Sequence, residues 1–197
     1  MKTIAWLPLV LLLAWAAPAR ADGTLDARIT AADRQRLEAY DSVRGEAIGA
    51  ARESGDKAAV ATLEAILSGR PEAIRGATDL AGLWRCRVAK LGGKPPLVVY
   101  GWFRCRITDD AAGLRLDKIS GSQRTAGIFY DDADAERLTY LGAGYYADEG
   151  KPKAYGRDPD RDEVGYLVRV GRDRLRLEFP SPRLESQFDI MELERIR

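Results

Sequence analysis

The sequence contains no histidine and only two cysteines, Cys86 and Cys105. Without histidine, Ser-His-Asp and Cys-His catalysis are excluded, as are the usual zinc sites with histidine ligands. Two oxidised thiols would exclude cysteine nucleophiles as well. Carboxylate chemistry, lysine chemistry or no catalysis remain, and among 30 acidic residues no pair stands out for acid–base work. We therefore favour a protein without enzymatic activity over a carboxylate-based hydrolase.

Long apolar runs are equally scarce, and the one clear example lies at the start of the chain. Lys2 precedes the run Ile4 to Ala17, and Ala19-Arg20-Ala21 follows with the small-x-small pattern of a cleavage site. This arrangement predicts a signal peptide over residues 1–21 and a periplasmic or secreted product. No later run is long enough to cross a bilayer, so we expect no membrane span after cleavage.

A strong charge of either sign is also lacking, with 31 basic and 30 acidic residues. Removing Lys2 and Arg20 with the signal peptide takes the basic count from 31 to 29, a net charge of −1. This balance gives no general attraction to nucleic acid. Residues 22–197 are enough for one domain with a sizeable core, and we expect a monomer without a cofactor.

The first part of that domain, residues 22–78, has a helical pattern. Thr30 is a candidate N-cap, and apolar residues recur at helical spacing until Gly55, which predicts one long amphipathic helix. A second helix is predicted from Asp56 to Gly69. Together they predict an antiparallel helical hairpin.

The remainder, residues 79–197, has short alternating runs separated by Gly, Pro and Asp, which is typical of an antiparallel sheet. Eight strands are predicted: Leu83 to Lys90, Leu97 to Ile107, Leu114 to Ile119, Arg124 to Tyr130, Arg137 to Ala143, Val164 to Val170, Arg174 to Phe179, and Gln187 to Glu194. The predicted fold class is α+β, with the N-terminal helical hairpin packed on an eight-stranded antiparallel, barrel-like sheet.

Both cysteines lie in the first two predicted strands. Pairing Cys86 with Cys105 places the turn between Pro95 and Pro96, where strand-breaking residues already stand. Two cysteines in an oxidising compartment favour a structural disulfide. A redox pair fits poorly, because the Cys-x-x-Cys spacing that lowers a thiol pKa is missing.

The same register puts four arginines on one face of the hairpin: Arg85, Arg87, Arg104 and Arg106. By parity, Tyr100 and Trp102 share that face. Like charges on adjacent strands destabilise the pair, so something must compensate. One interpretation is an interleaved carboxylate from a neighbouring strand, such as Asp117, or from the helices. The other is a bound anionic ligand or a partner's carboxylate, held by the guanidinium groups.

Two other polar groups are candidates for function. The turn residues Ser122, Gln123 and Arg124 offer donors beside Gly121, although they lack the lysine and the spacing of a phosphate loop. Asp158, Asp160 and Asp162 stand at alternate positions, as the first ligands of a calcium loop do. The glycine and the distal glutamate of that loop are missing, so a solvated acidic loop is the favoured interpretation.

Several longer stretches together resemble an exported bacterial family known only as domain of unknown function 4893. They are Asp79 to Arg87, Val98 to Ile107, Ser120 to Arg124, Tyr140 to Gly144, and Arg174 to Pro180. The resemblance covers essentially all of residues 22–197. It implies an exported protein and assigns no activity or catalytic residue.

A looser resemblance is carried by Gly82-Leu83-Trp84 at the start of the first strand. This segment is similar to the Gly-x-Trp entry of lipocalin-like (calycin) barrels and of small periplasmic inhibitors of secreted metalloproteases. The long helical N-terminal part departs from those inhibitors, whose free N-terminal strand blocks the protease. We favour a binding or interaction module for a small anionic ligand or an envelope protein, with a protease inhibitor as the alternative.

Overall fold

The structure, a computed structural model, describes residues 24–53, 56–74, 78–150 and 153–197. The predicted signal peptide, residues 1–21, lies outside the described residues. Helices come first along the described chain: α1 Leu25–Arg28, α2 Ala31–Glu38, α3 Tyr40–Arg52 and α4 Lys57–Leu67, followed by a short 3₁₀ helix, Thr78–Leu80.

Side-chain caps begin α2 and α4, and the predicted N-cap at Thr30 is confirmed. The Thr30 hydroxyl accepts a hydrogen bond from the Asp33 amide at 3.1 Å, and an Asp56 carboxylate oxygen accepts from the first turn of α4. The prediction of one helix from Thr30 to Gly55 is wrong, because the chain turns at Ala39. This break lets α2 pack on one part of the sheet and α3 on another.

Strands occupy the rest of the described chain: β1 Gly82–Leu91, β2 Leu97–Val99, β3 Phe103–Asp110, β4 Gly113–Lys118, β5 Gln123–Asp131, β6 Arg137–Tyr146, β7 Asp162–Gly171, β8 Arg174–Pro180 and β9 Phe188–Arg195. All neighbouring strands are antiparallel, and β1 pairs with both β3 and β9. The sheet therefore closes into an eight-stranded barrel, with the short β2 beside the second half of β1. The predicted α+β class is confirmed.

The first hairpin departs from its predicted register. Cys86 lies opposite Phe103, and Cys105 lies opposite Trp84, so the predicted pairing of Cys86 with Cys105 is wrong by two residues. The predicted second strand divides into β2 and β3, because the chain between Val99 and Phe103 has one residue more than the facing segment of β1. The disulfide itself is confirmed: Cys86 and Cys105 are bonded diagonally across the two strands, with their Cα atoms 6.0 Å apart.

Apolar side chains fill one end of the barrel. Trp84 is fully buried there, its indole N–H donates to the Leu80 carbonyl at 3.0 Å, and the Arg195 guanidinium lies 4.3 Å from the centre of its ring. Ile107, Leu175 and other buried residues complete this core. Side chains of the described residues therefore close this end of the barrel.

Two glycines leave space for the Tyr140 side chain inside the barrel. Gly127 and Gly142 are cross-strand partners on β5 and β6, and a Cβ atom on either would collide with the Tyr140 side chain. The Tyr140 ring therefore crosses the interior, and its hydroxyl lies 2.7 Å from Oγ1 of Thr125. The Tyr140 and Thr125 hydroxyls form a polar layer next to the apolar core, on the side away from Trp84.

The helices cover part of the outer surface of the barrel. Buried apolar residues of α3 and α4 pack against Ala89, Leu91, Leu97, Phe188 and Ile190. Beneath α3, the carboxylate of Glu178 is fully buried. It accepts hydrogen bonds from Tyr40 and Arg44, each at 2.7 Å, and pairs with Arg176. Docking of α3 thus combines apolar packing with a buried ionic cluster.

Candidate functional site

A cavity of about 290 Å³ opens at the end of the barrel opposite Trp84. It lies where β1, β4, β6 and β8 finish and where the alternate strands begin. Val88, Phe103, Phe179 and Met191 form an apolar floor and wall. The volume is close to the lower limit of small-molecule sites, roughly 300 Å³. The lumen is therefore packed at one end and hollow at the other.

The cavity wall is rich in charge of both signs. Its basic residues are Arg36, Lys90, Lys118, Arg124, Arg161 and Arg183. Its acidic residues are Asp160, Asp162, Glu163, Glu185 and Asp189. Because inward-facing charges in a barrel lose solvation, each needs a partner or a ligand.

Lys118 continues the inward-facing row Leu114, Leu116 on β4 and is 6% exposed. Its Nζ donates to the Gln123 carbonyl and lies 4.1 Å from the centre of the Phe103 ring. Among the residues that the structure describes, no carboxylate lies within ion-pair distance of this Nζ. Burial lowers the pKa of Lys118 to about 8. It is a buried amine with donors to spare.

Glu163 faces the same cavity from β7. Its carboxylate accepts a hydrogen bond from the Thr125 hydroxyl, which also forms a hydrogen bond with the Tyr140 hydroxyl. Its Oε1 occupies the space that a side chain at Gly144 would fill. Burial raises the pKa of Glu163 to about 7, so a large fraction of this carboxyl is protonated at neutral pH. The side chain stays partly exposed, because the cavity is open.

Lys90 on β1 and Asp189 on β9 are cross-strand partners, and both side chains also line the cavity. Lys90 Nζ is 2.5 Å from Glu185 Oε2 and 3.4 Å from Gln123 Oε1. Asp189 accepts a hydrogen bond from the Ser186 hydroxyl at 2.6 Å, and burial raises its pKa to about 6. Lys90 thus has a direct carboxylate partner, in contrast to Lys118.

Helix α2 contributes one wall through Arg36, which is 7% exposed. Its guanidinium donates to Asp33 at 2.8 Å and to the carbonyls of Asp162 and Pro180. Its Nη2 is buried and has no hydrogen-bond partner in the described part of the chain. Tyr155 ties the same helix to the β6–β7 connection by donating to Asp33 at 2.6 Å.

The structure brings the secondary candidates to this cavity. Ser122, just before β5, and Gln123 and Arg124, the first two residues of β5, lie on its rim. Tyr100 also lines the cavity, and its predicted position on the arginine face is wrong. Its amide donates to the Val88 carbonyl, and the one extra residue between Tyr100 and Phe103 reverses the side on which Tyr100 lies.

The other five candidates remain outside the barrel: Arg85, Arg87, Trp102, Arg104 and Arg106. The Trp102 ring lies between two guanidinium groups, 4.4 Å from Arg85 and 4.5 Å from Arg87. Arg85 pairs with Glu194 and Arg87 with Glu192, both on β9. Carboxylates of a neighbouring strand therefore compensate the charges of Arg85 and Arg87, but they are Glu194 and Glu192 rather than Asp117.

Two of the three aspartates of the calcium candidate, Asp158 and Asp162, have separate partners. Asp158 pairs with Lys153 at 2.7 Å, whereas Asp162 is buried and accepts from the Gly156 amide at 2.9 Å. Asp160 lies at the cavity rim. In the described ranges, no three acidic or cysteine side chains are placed to share a metal ion.

Sequence reasoning missed Lys118, Glu163, Lys90 and Asp189. A signal existed for Lys118, since it continues the alternation of Leu114 and Leu116 towards the interior. The parity of β7 gave no such signal for Glu163, because Val164 and Tyr166 on the opposite face are also buried.

Comparison with known proteins adds one match. A family model described as "Domain of unknown function (DUF4893)" matches residues 26–193. No curated protein matches the chain. The closed eight-stranded barrel is compatible with a calycin-like fold. None of the helices in the described residues is long and apolar enough to cross a membrane.

Proposed function

We propose a function for this chain, which belongs to the family described as a domain of unknown function (DUF4893), from the cavity in its barrel. The protein binds a small amphipathic molecule that carries an anionic group. Export to the periplasm or beyond, expected from residues 1–21, belongs to the same proposal.

One observation carries this proposal: Lys118 faces the cavity with no carboxylate partner among the described residues. A buried ammonium group is costly unless a counter-charge accompanies it. An anionic group of a ligand would supply that charge. The aromatic and aliphatic wall beside it would take the apolar part of the same ligand.

The partial protonation of the acidic residues in the cavity wall also favours an anionic ligand. At neutral pH the raised pKa values of Glu163 and Asp189 leave part of their carboxyl groups neutral, while the pKa values of Lys90 and Lys118 leave most of both amines charged. The cavity is therefore more favourable for an anion than a count of its charges indicates.

The test uses 8-anilino-1-naphthalenesulfonate, an aromatic anion, and the neutral N-phenyl-1-naphthylamine, with fluorescence titration at pH 7. We expect saturable binding of the anion, weaker binding of the neutral compound, and a Kd about tenfold higher for Lys118→Gln. Arg104→Gln, which removes an exposed arginine outside the barrel, is the matched control. Equal binding by Lys118→Gln and wild type, with circular dichroism showing both folded, would refute the proposal.

A further inference from the structure

Lys118 also has the surroundings of a reactive amine. Its side chain is almost fully buried, its Nζ lies against the Phe103 ring, and it opens on a cavity large enough for a small molecule. Enzymes activate lysine nucleophiles in the same two ways, by an apolar pocket and by neighbouring positive charge.

Lys118 has both kinds of neighbour. Lys90 and Arg124 act on it as like charges, while Glu163 is the acidic group that opposes them. Burial outweighs Glu163, so the neutral amine is far more populated near pH 7 than for an ordinary lysine. The contact with the Gln123 carbonyl uses one hydrogen of Nζ and leaves others for reaction.

We propose that Lys118 forms a reversible imine with an aldehyde or ketone group of a small molecule in the cavity. The Nζ lone pair attacks the carbonyl carbon and a C–N bond forms. The carbonyl oxygen then leaves as water with the two hydrogens of the neutral amine. Atoms and electrons balance without an oxidant or a reductant. The inference rests on the ligand cavity of the proposed function and adds a reactive group to it.

The chain supplies its own reference lysines. Lys90 lines the same cavity but pairs directly with Glu185 at 2.5 Å. Lys57 and Lys94 are exposed. If burial without a carboxylate partner makes an amine reactive here, Lys118 should differ from all three.

The experiment treats the folded wild-type protein at pH 7 with acetaldehyde and cyanoborohydride, which reduces an imine to a stable secondary amine. Mass spectrometry of peptides then gives the initial rate at each lysine. We expect Lys118 to react about tenfold faster than Lys57 and Lys94, with Lys90 slower than Lys118. A rate at Lys118 no greater than at Lys57 would overturn the inference, and this readout needs no variant that could misfold.

A second arm separates this inference from the proposed function. Glyoxylate, an anionic aldehyde, replaces acetaldehyde, and the preference of Lys118 for glyoxylate is compared with that of Lys57. A preference confined to Lys118 supports both the imine and the anion site. Fast labelling of Lys118 by both aldehydes without such a preference supports the amine and contradicts the anion site.

Discussion

Replacing Glu178 by glutamine tests how the helices are held on the barrel. The change keeps the size of the side chain but removes the charge, leaving Arg44 and Arg176 beside a neutral amide. Breaking a buried ion pair from one side costs about 3–5 kcal/mol, because the remaining charge stays buried without compensation. Arg44 is 30% exposed and can regain some solvation, so we expect a loss near the lower end, about 3 kcal/mol.

The measurement is urea unfolding at pH 7, followed by circular dichroism. Glu64→Gln is the matched control, because Glu64 pairs with Arg52 at 2.7 Å on the surface, where both side chains are about half exposed. That pair should contribute less than about 0.5 kcal/mol. If Glu178→Gln and Glu64→Gln lowered the free energy of unfolding equally, the assignment of the buried cluster to helix docking would be refuted.

The buried ion pairs of Glu178 also predict how the stability of the protein changes at acidic pH. Although burial acts to raise it, the guanidinium groups of Arg176 and Arg44 hold the pKa of Glu178 below its usual value. A carboxyl whose folded pKa is depressed stabilises the protein above the unfolded pKa, and this contribution is lost as the pH falls through the folded value. The difference in stability between wild type and Glu178→Gln should therefore shrink below about pH 4.5.

Three further changes have defined outcomes. Glu163→Gln should gain stability relative to wild type as the pH rises from 5 to 8, by about 2 kcal/mol in thermal or urea unfolding, because the raised pKa of Glu163 makes its ionisation costly in the folded state. A difference that stays constant over this pH range would contradict the raised pKa. Replacing Cys86 and Cys105 together by alanine should cost about 3 kcal/mol, since their disulfide closes a loop with a separation of 19 residues; an unchanged unfolding midpoint would contradict this. Gly142→Ala should destabilise by about 1–3 kcal/mol through collision with Tyr140, whereas Gly49→Ala, with open space around it, should be neutral or stabilising.

The sequence was informative about the fold because its local signals were strong. Alternation marked the strands, Thr30 and Asp56 marked helix starts, and the spacing of the cysteines identified a strand pair. The break at Ala39 gave no such signal, since alanine favours helix. The predicted hairpin register was wrong for a similar reason: one added residue lies between Tyr100 and Phe103, and the alternation itself does not reveal it.

The candidate site was only partly predictable. Arginine clustering directed attention to the outer surface, where β9 turned out to supply the counter-charges Glu192 and Glu194. Which strand closes the barrel against β1 depends on pairing between the two ends of the sheet, and no local pattern encodes it. Ser122, Gln123 and Arg124 were candidates because of their hydrogen-bond donors, but their place at the cavity rim follows only from closure of the barrel.

The protease-inhibitor alternative stays a prediction. Leu25–Arg28 is helical, and the following helix is held against the barrel through Tyr155. Titration against secreted metalloproteases, with and without the residues before Thr30, would decide it.

Arg36 belongs at once to a docked helix and to the wall of the cavity. A ligand in the cavity would therefore stabilise the docked position of α2. Undocking of α2 would in turn lower the affinity for that ligand. A change far from the cavity that loosens the N-terminal helices would release a bound molecule without altering any other wall residue. Amide hydrogen exchange in α2 would then report occupancy of a site formed largely by residues more than fifty positions later in the chain.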